Sequence, residues 1–171
     1  RREARERALA LLFEAEQRAM EPLSAILATL PLAPDPYTLA LVDGVAAHQA
    51  ELDLQLSRLS TSWPLERMPA IDRALLRMGA FELAHTDVPV GACISEAVEL
   101  AKRYSTDDSH RFVNGMLAAV SNFKIHSPAP LDKILTIEVR ELKRLGPMLL
   151  IAGTVSCADQ LIAAGELSLY A

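Results

Sequence analysis

Residues 94–115 read ISEAVELAKRYSTDDSHRFVNG, a pattern of helix, polar break and helix. Ile94, Ala97, Val98 and Ala101 recur at helical spacing and mark one apolar face. Ser105, Thr106, Asp107, Asp108 and Ser109 follow, side chains that compete for backbone hydrogen bonds and favour caps over helix interiors. Asp107 is expected at the N-cap of the next helix, with Asp108 in its first turn, where the helix dipole favours a carboxylate. Phe112, Val113, Met116, Leu117 and Val120 then supply the apolar face of the second helix. Asn114-Gly115 ordinarily signals a turn. Apolar periodicity runs through it, so Gly115 is expected as a helix contact point and Asn114 as a polar group needing a partner. A junction this polar belongs at the surface, where it carries Lys102, Arg103, His110 and Arg111 beside the aromatic Tyr104. On spacing alone, a solvated charge rim is favoured over a binding site.

The bulk of the chain agrees with a helical domain. Its 171 residues suit one domain, or one domain with an appendage, and a 51% apolar fraction is ample for a core. Only 5% is aromatic, and Ala and Leu dominate, which favours helices. A net charge of −5 argues against a protein that coats nucleic acid over its whole surface and leaves room for a local basic patch. Cys93 and Cys157 lie far apart and share no metal-type spacing with the four histidines, so Cys93 is read as a buried free thiol. With no disulfide framework and no signal-peptide pattern, the expected compartment is the cytoplasm. The apolar run from Met148 to Ala152 is too short to span a membrane. The chain begins at Arg1 rather than Met, as it would if residues preceded it.

Upstream, residues 1–20 form one expected helix with Ala4, Ala8, Leu11, Leu12, Ala15 and Ala19 as its apolar stripe. Arg1, Arg2, Arg5 and Arg7 crowd its start, with Glu3 and Glu6 between them. They read equally as a phosphate-binding arm, since guanidinium pairs bidentately with phosphate, or as a solvated face of Glu–Arg pairs. Arginines at a helix N-terminus run against the dipole, a small cost that tilts the balance towards function. Pro22 suits the first turn of a short helix reaching about Leu30, and residues 31–36 form a loop. Asp35 followed by Pro36 is an N-cap and N1 pair opening a long helix over 36–59, with Tyr37, Leu41, Val45, Leu52, Leu56 and Leu59 as its stripe. Gly44 inside it predicts a close helix crossing. Asp43, His48 and Asp53 do not share one face, so no metal site is read there.

Ser60 to Ser62 break that helix, and Trp63-Pro64 forms a link whose large ring should pack on the bundle. A helix over 67–85 follows, lined by Met68, Ile71, Leu75, Met78 and Phe81. Its other side carries Asp72, Arg73, Leu76, Arg77 and Glu82, where Leu76 is either an exposed apolar spot for a protein partner or simply core. Asp87, Val88 and Pro89 turn the chain into the opening stretch. Residues 127–130 look like a linker. Leu135, Ile137 and Val139 alternate with Thr136, Glu138 and Arg140 as in a strand, although the same segment fits a helix. Gly146-Pro147 is a break, and Met148 to Ala164 reads as helical. The chain has no nucleophile elbow, phosphate-cradling glycine loop or paired-histidine metal signature, so no catalytic residue, cofactor or metal is expected.

Trp63 to Gly115, with WPLERMPAIDRALLRMGAFEL, DVP, ISEAVELAKRY and STDDSHRFVNG, closely resembles the NusB family of bacterial transcription antitermination factors. RREARERALALLFEAE at the N-terminus and DGVAAHQAELD at 43–53 resemble it too, so the likeness spans about residues 1–124. It implies an all-α chain, a compact helical bundle of about seven helices in two small subdomains, followed by a C-terminal extension at 125–171 of uncertain structure and role. It also implies a non-enzymatic adaptor that binds boxA-containing single-stranded RNA of ribosomal RNA transcripts together with NusE, a small-subunit ribosomal protein. The pair would join the RNA polymerase antitermination complex. By the same resemblance, RNA contacts map to Arg1, Arg2, Arg5 and, less firmly, Arg7, and to Asp107, Asp108, Ser109, His110, Arg111 and Phe112 at the corner. The NusE surface maps around Asp72, Arg73, Leu76, Arg77 and Glu82, through which some members self-associate, so a homodimer is also a candidate state.

Two features depart from the family pattern: Phe13 has no obvious second aromatic beside it, and residues 125–171 have no counterpart in a typical member. The alternatives are a fragment of an rRNA cytosine methyltransferase, whose N-terminal part is NusB-like, and a helical protein-interaction module without RNA binding. The tail is too short for a methyltransferase region and shows neither its glycine-rich cofactor loop nor its catalytic cysteines.

Overall fold

A computed structural model describes residues 1–60, 63–121, 123–125, 134–145, 148–158 and 160–170. The chain divides into two compact units, Arg1–Val120 and Ser121–Ala171.

The first unit is helical. It contains α1 (Arg2–Gln17), a 3-10 helix (Leu23–Thr29), α2 (Pro36–Leu59), a second 3-10 helix (Leu65–Arg67), α3 (Ala70–His85), α4 (Val90–Tyr104) and α5 (Ser109–Ser121). Asp35 caps α2 as its sequence predicts, accepting from the backbone N–H groups of Tyr37 at 3.0 Å and Thr38 at 3.1 Å. Pro36 occupies the first turn, where its missing N–H is not needed. α3 starts at Ala70 rather than near 67, because Pro69 forces Met68 into an extended conformation (φ −69°, ψ 149°) and splits off the preceding 3-10 turn. α5 begins at Ser109, and the N–H of Phe112 bonds to the carbonyl of Asp108. The position before the helix therefore falls on Asp108, one residue later than expected, and Asp107 lies in the turn ahead of it.

α3 lies at the centre, packed against α1, α2 and α4. Leu12, Ile26, Leu41, Leu52, Leu56, Leu75, Leu76, Met78 and Leu117 are among its fully buried neighbours and members. Leu76 is 0% exposed, so the core reading holds and the exposed-spot reading is corrected. Burying one such side chain contributes about 1.5–3 kcal/mol. Gly44 is the close crossing its position suggests: an added Cβ would lie 2.0 Å from Cζ of Phe81. Gly115 is not a contact point, since an added Cβ meets nothing within 4 Å, and Asn114 is exposed and needs no protein partner. Gly79 takes that role instead, with Leu117 Cδ1 2.7 Å from the place its Cβ would occupy. Trp63 packs on Phe112, ring centroids 5.0 Å apart.

The second unit is a four-stranded antiparallel sheet of β1 (Phe123–Ile125), β2 (Thr136–Leu145), β3 (Met148–Cys157) and β4 (Gln160–Tyr170), in the order β1-β4-β3-β2. The alternation at 135–140 belongs to a strand, the first of its two readings. The helical reading of Met148 to Ala164 is corrected: Gly153 pairs with Val139 on one side and Gly165 on the other, in the middle of the sheet. Ala158 has a φ of 52° between the paired residues Cys157 and Gln160, the left-handed backbone that a two-residue hairpin loop requires. The linker at 127–130, Thr61-Ser62 and Gly146-Pro147 lie outside the described residues.

Candidate nucleic-acid interface

The basic start of α1 splits into an exposed part and a buried part. Arg1 is exposed, with its guanidinium over the Tyr37 ring at 5.1 Å. Arg2 is 60% exposed and pairs with Glu96 of α4 at 3.2 Å, and Arg7 is exposed. Arg5 points inwards and is 4% exposed. Its Nε donates to both carboxylate oxygens of Glu82 at 3.0 Å, and a terminal nitrogen donates to the Tyr37 hydroxyl at 3.3 Å. The Tyr37 hydroxyl in turn donates to Glu82. Burial works against the Arg5 charge, but the hydrogen bond and charge of Glu82 outweigh it and raise its pKa. Burial first, and then Glu82, push the Tyr37 hydroxyl up to about 12. The Cys93 thiol, buried as predicted and 3.7 Å from Glu82, is likewise pushed up to about 12, by burial and then by the Glu82 charge. Arg5 is thus a pin between α1, α2 and α3, and the placement of Arg5 among the RNA contacts is corrected: its guanidinium is committed to Glu82 and shielded from solvent.

The side chains mapped as a protein-partner surface are similarly engaged inside the unit. Arg73 grips Glu16 through Nε at 3.1 Å to each oxygen and bonds the carbonyls of Leu65 at 2.9 Å and Met68 at 3.0 Å. Arg77 bridges Glu16 at 2.8 Å and Asp53 at 2.7 and 2.8 Å. Asp72, Leu76, Arg77 and Glu82 are all buried and Arg73 is half-buried, so within the chain these side chains serve as internal ties. These charges hold α1, α2 and α3 together.

Asp72 also anchors the corner. Its Oδ2 accepts from Ser109 Oγ at 2.7 Å, and Ser109 Oγ lies 3.0 Å from Ser105 Oγ and 2.7 Å from Thr106 Oγ. The polar run between α4 and α5 is therefore a braced turn with its backbone fixed from α3. Outside it, Asp108 is 91% exposed and Arg111 79% exposed, 3.7 Å apart. His110 is half-buried. Phe112 is half-buried against Trp63 and belongs to the rim of the core.

Glu6 joins the two basic regions. It accepts from Arg103 at 3.2 Å and from the Tyr104 hydroxyl, both at the end of α4. The Arg103 guanidinium lies 5.2 Å from the centre of the Tyr104 ring, which is 42% exposed. The hydrogen bond to Glu6 is also the leading reason the Tyr104 hydroxyl titrates above its ordinary value. One surface therefore carries Arg2 and Glu6 from α1 with Arg103 and Tyr104 from α4, and continues along the chain through the corner to the exposed Arg111; Arg7 is exposed elsewhere on α1. The tie through Glu6 was not legible in the sequence; a lone glutamate among arginines carries no signal for a partner 97 residues away. Among the described residues, no helix is long and apolar enough to cross a membrane.

These features define a class: a small helical bundle with buried ion pairs, whose exposed arginines and tyrosine gather along α1, α4 and the turn after α4. The chain belongs to the NusB family, which it matches over residues 2–122. It is 49% identical over 128 residues to the transcription antitermination protein NusB of Kineococcus radiotolerans, covering 72% of this chain and 94% of that one. The NusB of Arthrobacter sp. (strain FB24) is 46% identical with the same coverage. Among solved structures, T. maritima NusB superposes with a TM-score of 0.65 at 32% identity, covering 70% of this chain and 89% of that one. A chain from a complex of antitermination factors NusB and NusE with double-stranded RNA gives 0.60 at 26% identity, covering 71% and 95%.

Proposed function

We propose that this chain is a non-enzymatic, cytoplasmic RNA-binding adaptor in transcription antitermination. It binds boxA RNA of ribosomal RNA transcripts together with a NusE-type ribosomal protein and joins the antitermination complex on RNA polymerase. The observation that carries this reading is the surface tied by Glu6, where Arg103 lies over the exposed Tyr104 ring and Arg2 of α1 reaches Glu96 of the same helix, α4. Single-stranded RNA needs cations for its phosphates and a planar face for its bases, and Arg2, Arg7, Arg103 and Tyr104 supply both. Arg1 and Arg111 extend the cationic edge, with His110 and Asp108 as polar groups at the turn that can bond to bases or sugars. Arg5 and Phe112 support the surface from inside. The acidic remainder of the chain confines RNA to this face.

The test is fluorescence anisotropy with labelled boxA RNA and a scrambled control, with and without purified NusE. Selective binding that tightens with NusE is the expected result. Equal binding of both RNAs in the presence of NusE would overturn the reading and leave a helical protein-interaction module.

A further inference from the structure

Two histidines outside the RNA surface stand together. His48 on α2 and His85, the last residue of α3, have ring centroids 4.1 Å apart, and Phe81 lies against both at 5.6 and 5.2 Å. Glu51, one helical turn after His48 and on the same side of α2, brings Oε1 to 3.9 Å from His85 Nε2. One ligand atom from each of the three lies within 4.8 Å of the other two. Asp53, weighed with His48 from the sequence alone, is taken by Arg77 and plays no part.

We propose that His48, Glu51 and His85 form a binding site for a divalent transition-metal ion of the zinc class, which staples α2 to the end of α3. Two imidazole nitrogens and one carboxylate are a donor set for zinc-like ions, whereas magnesium and calcium require oxygen alone. His48 is already oriented. Its Nδ1 lies 2.9 Å from the Gly44 carbonyl, which only accepts, so Nδ1 carries the proton and Nε2 presents its lone pair outwards. A carbonyl on the far nitrogen is the arrangement that fixes the tautomer and ring of a metal-bound imidazole. His85 sits at the C-terminal end of α3, where the dipole favours a cation. Tetrahedral zinc with bonds of about 2.0–2.1 Å sets its donors about 3.3 Å apart. The donors must therefore close in by up to about 1.5 Å, a movement within reach of rotations about the side chains of Glu51 and His85, which are both exposed. Three protein donors leave a fourth position for water or for a group from another molecule.

The experiment uses the full chain without an affinity tag, stripped with chelator and titrated with Zn2+ by calorimetry and with Co2+ by visible absorption. Expected are one equivalent per chain, absorption bands of four- or five-coordinate Co2+, and a rise in the thermal midpoint with added Zn2+. His85→Ala, at an exposed helix end, should abolish the Co2+ bands and weaken Zn2+ by more than the ~10–100-fold that loss of an outer-shell partner costs. Glu51→Gln should weaken Zn2+ as well, and the circular dichroism of both variants should match that of the parent. Absence of stoichiometric binding, or binding that survives His85→Ala unchanged, would overturn the proposal.

Discussion

Arg5 sets its guanidinium on Glu82, both carboxylate oxygens 3.0 Å from Nε, where the two side chains are 5% and 1% exposed. Removing one partner of such a pair leaves an uncompensated buried charge. Arg5→Ala should destabilise the helical unit by about 3–5 kcal/mol, read from urea unfolding. Arg2→Ala and Arg7→Ala, at exposed positions in the same helix, should stay within about 0.5 kcal/mol of the parent.

Gly44 and Gly115 should respond oppositely to alanine. Gly44→Ala drives a methyl into the Phe81 ring and should cost about 1–3 kcal/mol. Gly115→Ala faces open space inside α5 and should stabilise by about 0.5–1 kcal/mol through helix propensity. Denaturant midpoints of the two variants decide it.

The corner between α4 and α5 depends on Ser109. Ser109→Ala leaves the buried Asp72 carboxylate without its hydroxyl donor and should cost about 1–3 kcal/mol. Amide exchange should rise over residues 105–112, while α1 keeps its protection.

Acid should loosen the bundle through Glu16. Burial opposes its ionisation, but the hydrogen bond and charge of Arg73, joined by Arg77, outweigh burial and hold its carboxyl below the ordinary glutamate value. The unfolded chain therefore binds the proton more readily. The stabilisation is complete above the ordinary value of about 4.3 and is lost as pH falls through the lower folded value. Glu16→Gln should lower the urea midpoint at pH 7 and approach the parent as the pH falls below about 4.

Local signals in the sequence were faithful where the cause was local. Asp35-Pro36 opened α2 at the expected residue, and Gly44 marked a real crossing. Around α3 the reading failed for a tertiary reason. Helical periodicity separates two faces, but α3 is packed by α1, α2 and α4, so both faces are interior. Its charges looked solvent-facing because their partners, Arg5, Glu16, Asp53 and Ser109, lie far away in the chain. The same distance hid the burial of Arg5. The corner was legible as a polar break, and its bracing by Asp72 was not. In the second unit, the apolar run from Met148 carries no clear period, and such a run does not distinguish a paired strand from a helix.

Arg2, beside the surface tied by Glu6, and Arg7, exposed on the same helix, are assigned to RNA phosphates, and the RNA-binding function stands or falls with that assignment. The most direct measurement is the dependence of boxA RNA affinity on salt for the parent and for the Arg2→Ala, Arg7→Ala double variant. The slope of log K against log salt should become shallower by roughly 0.7 for each phosphate that is no longer neutralised, with unfolding stability unchanged. An unaltered slope and affinity in the stably folded double variant would contradict the assignment.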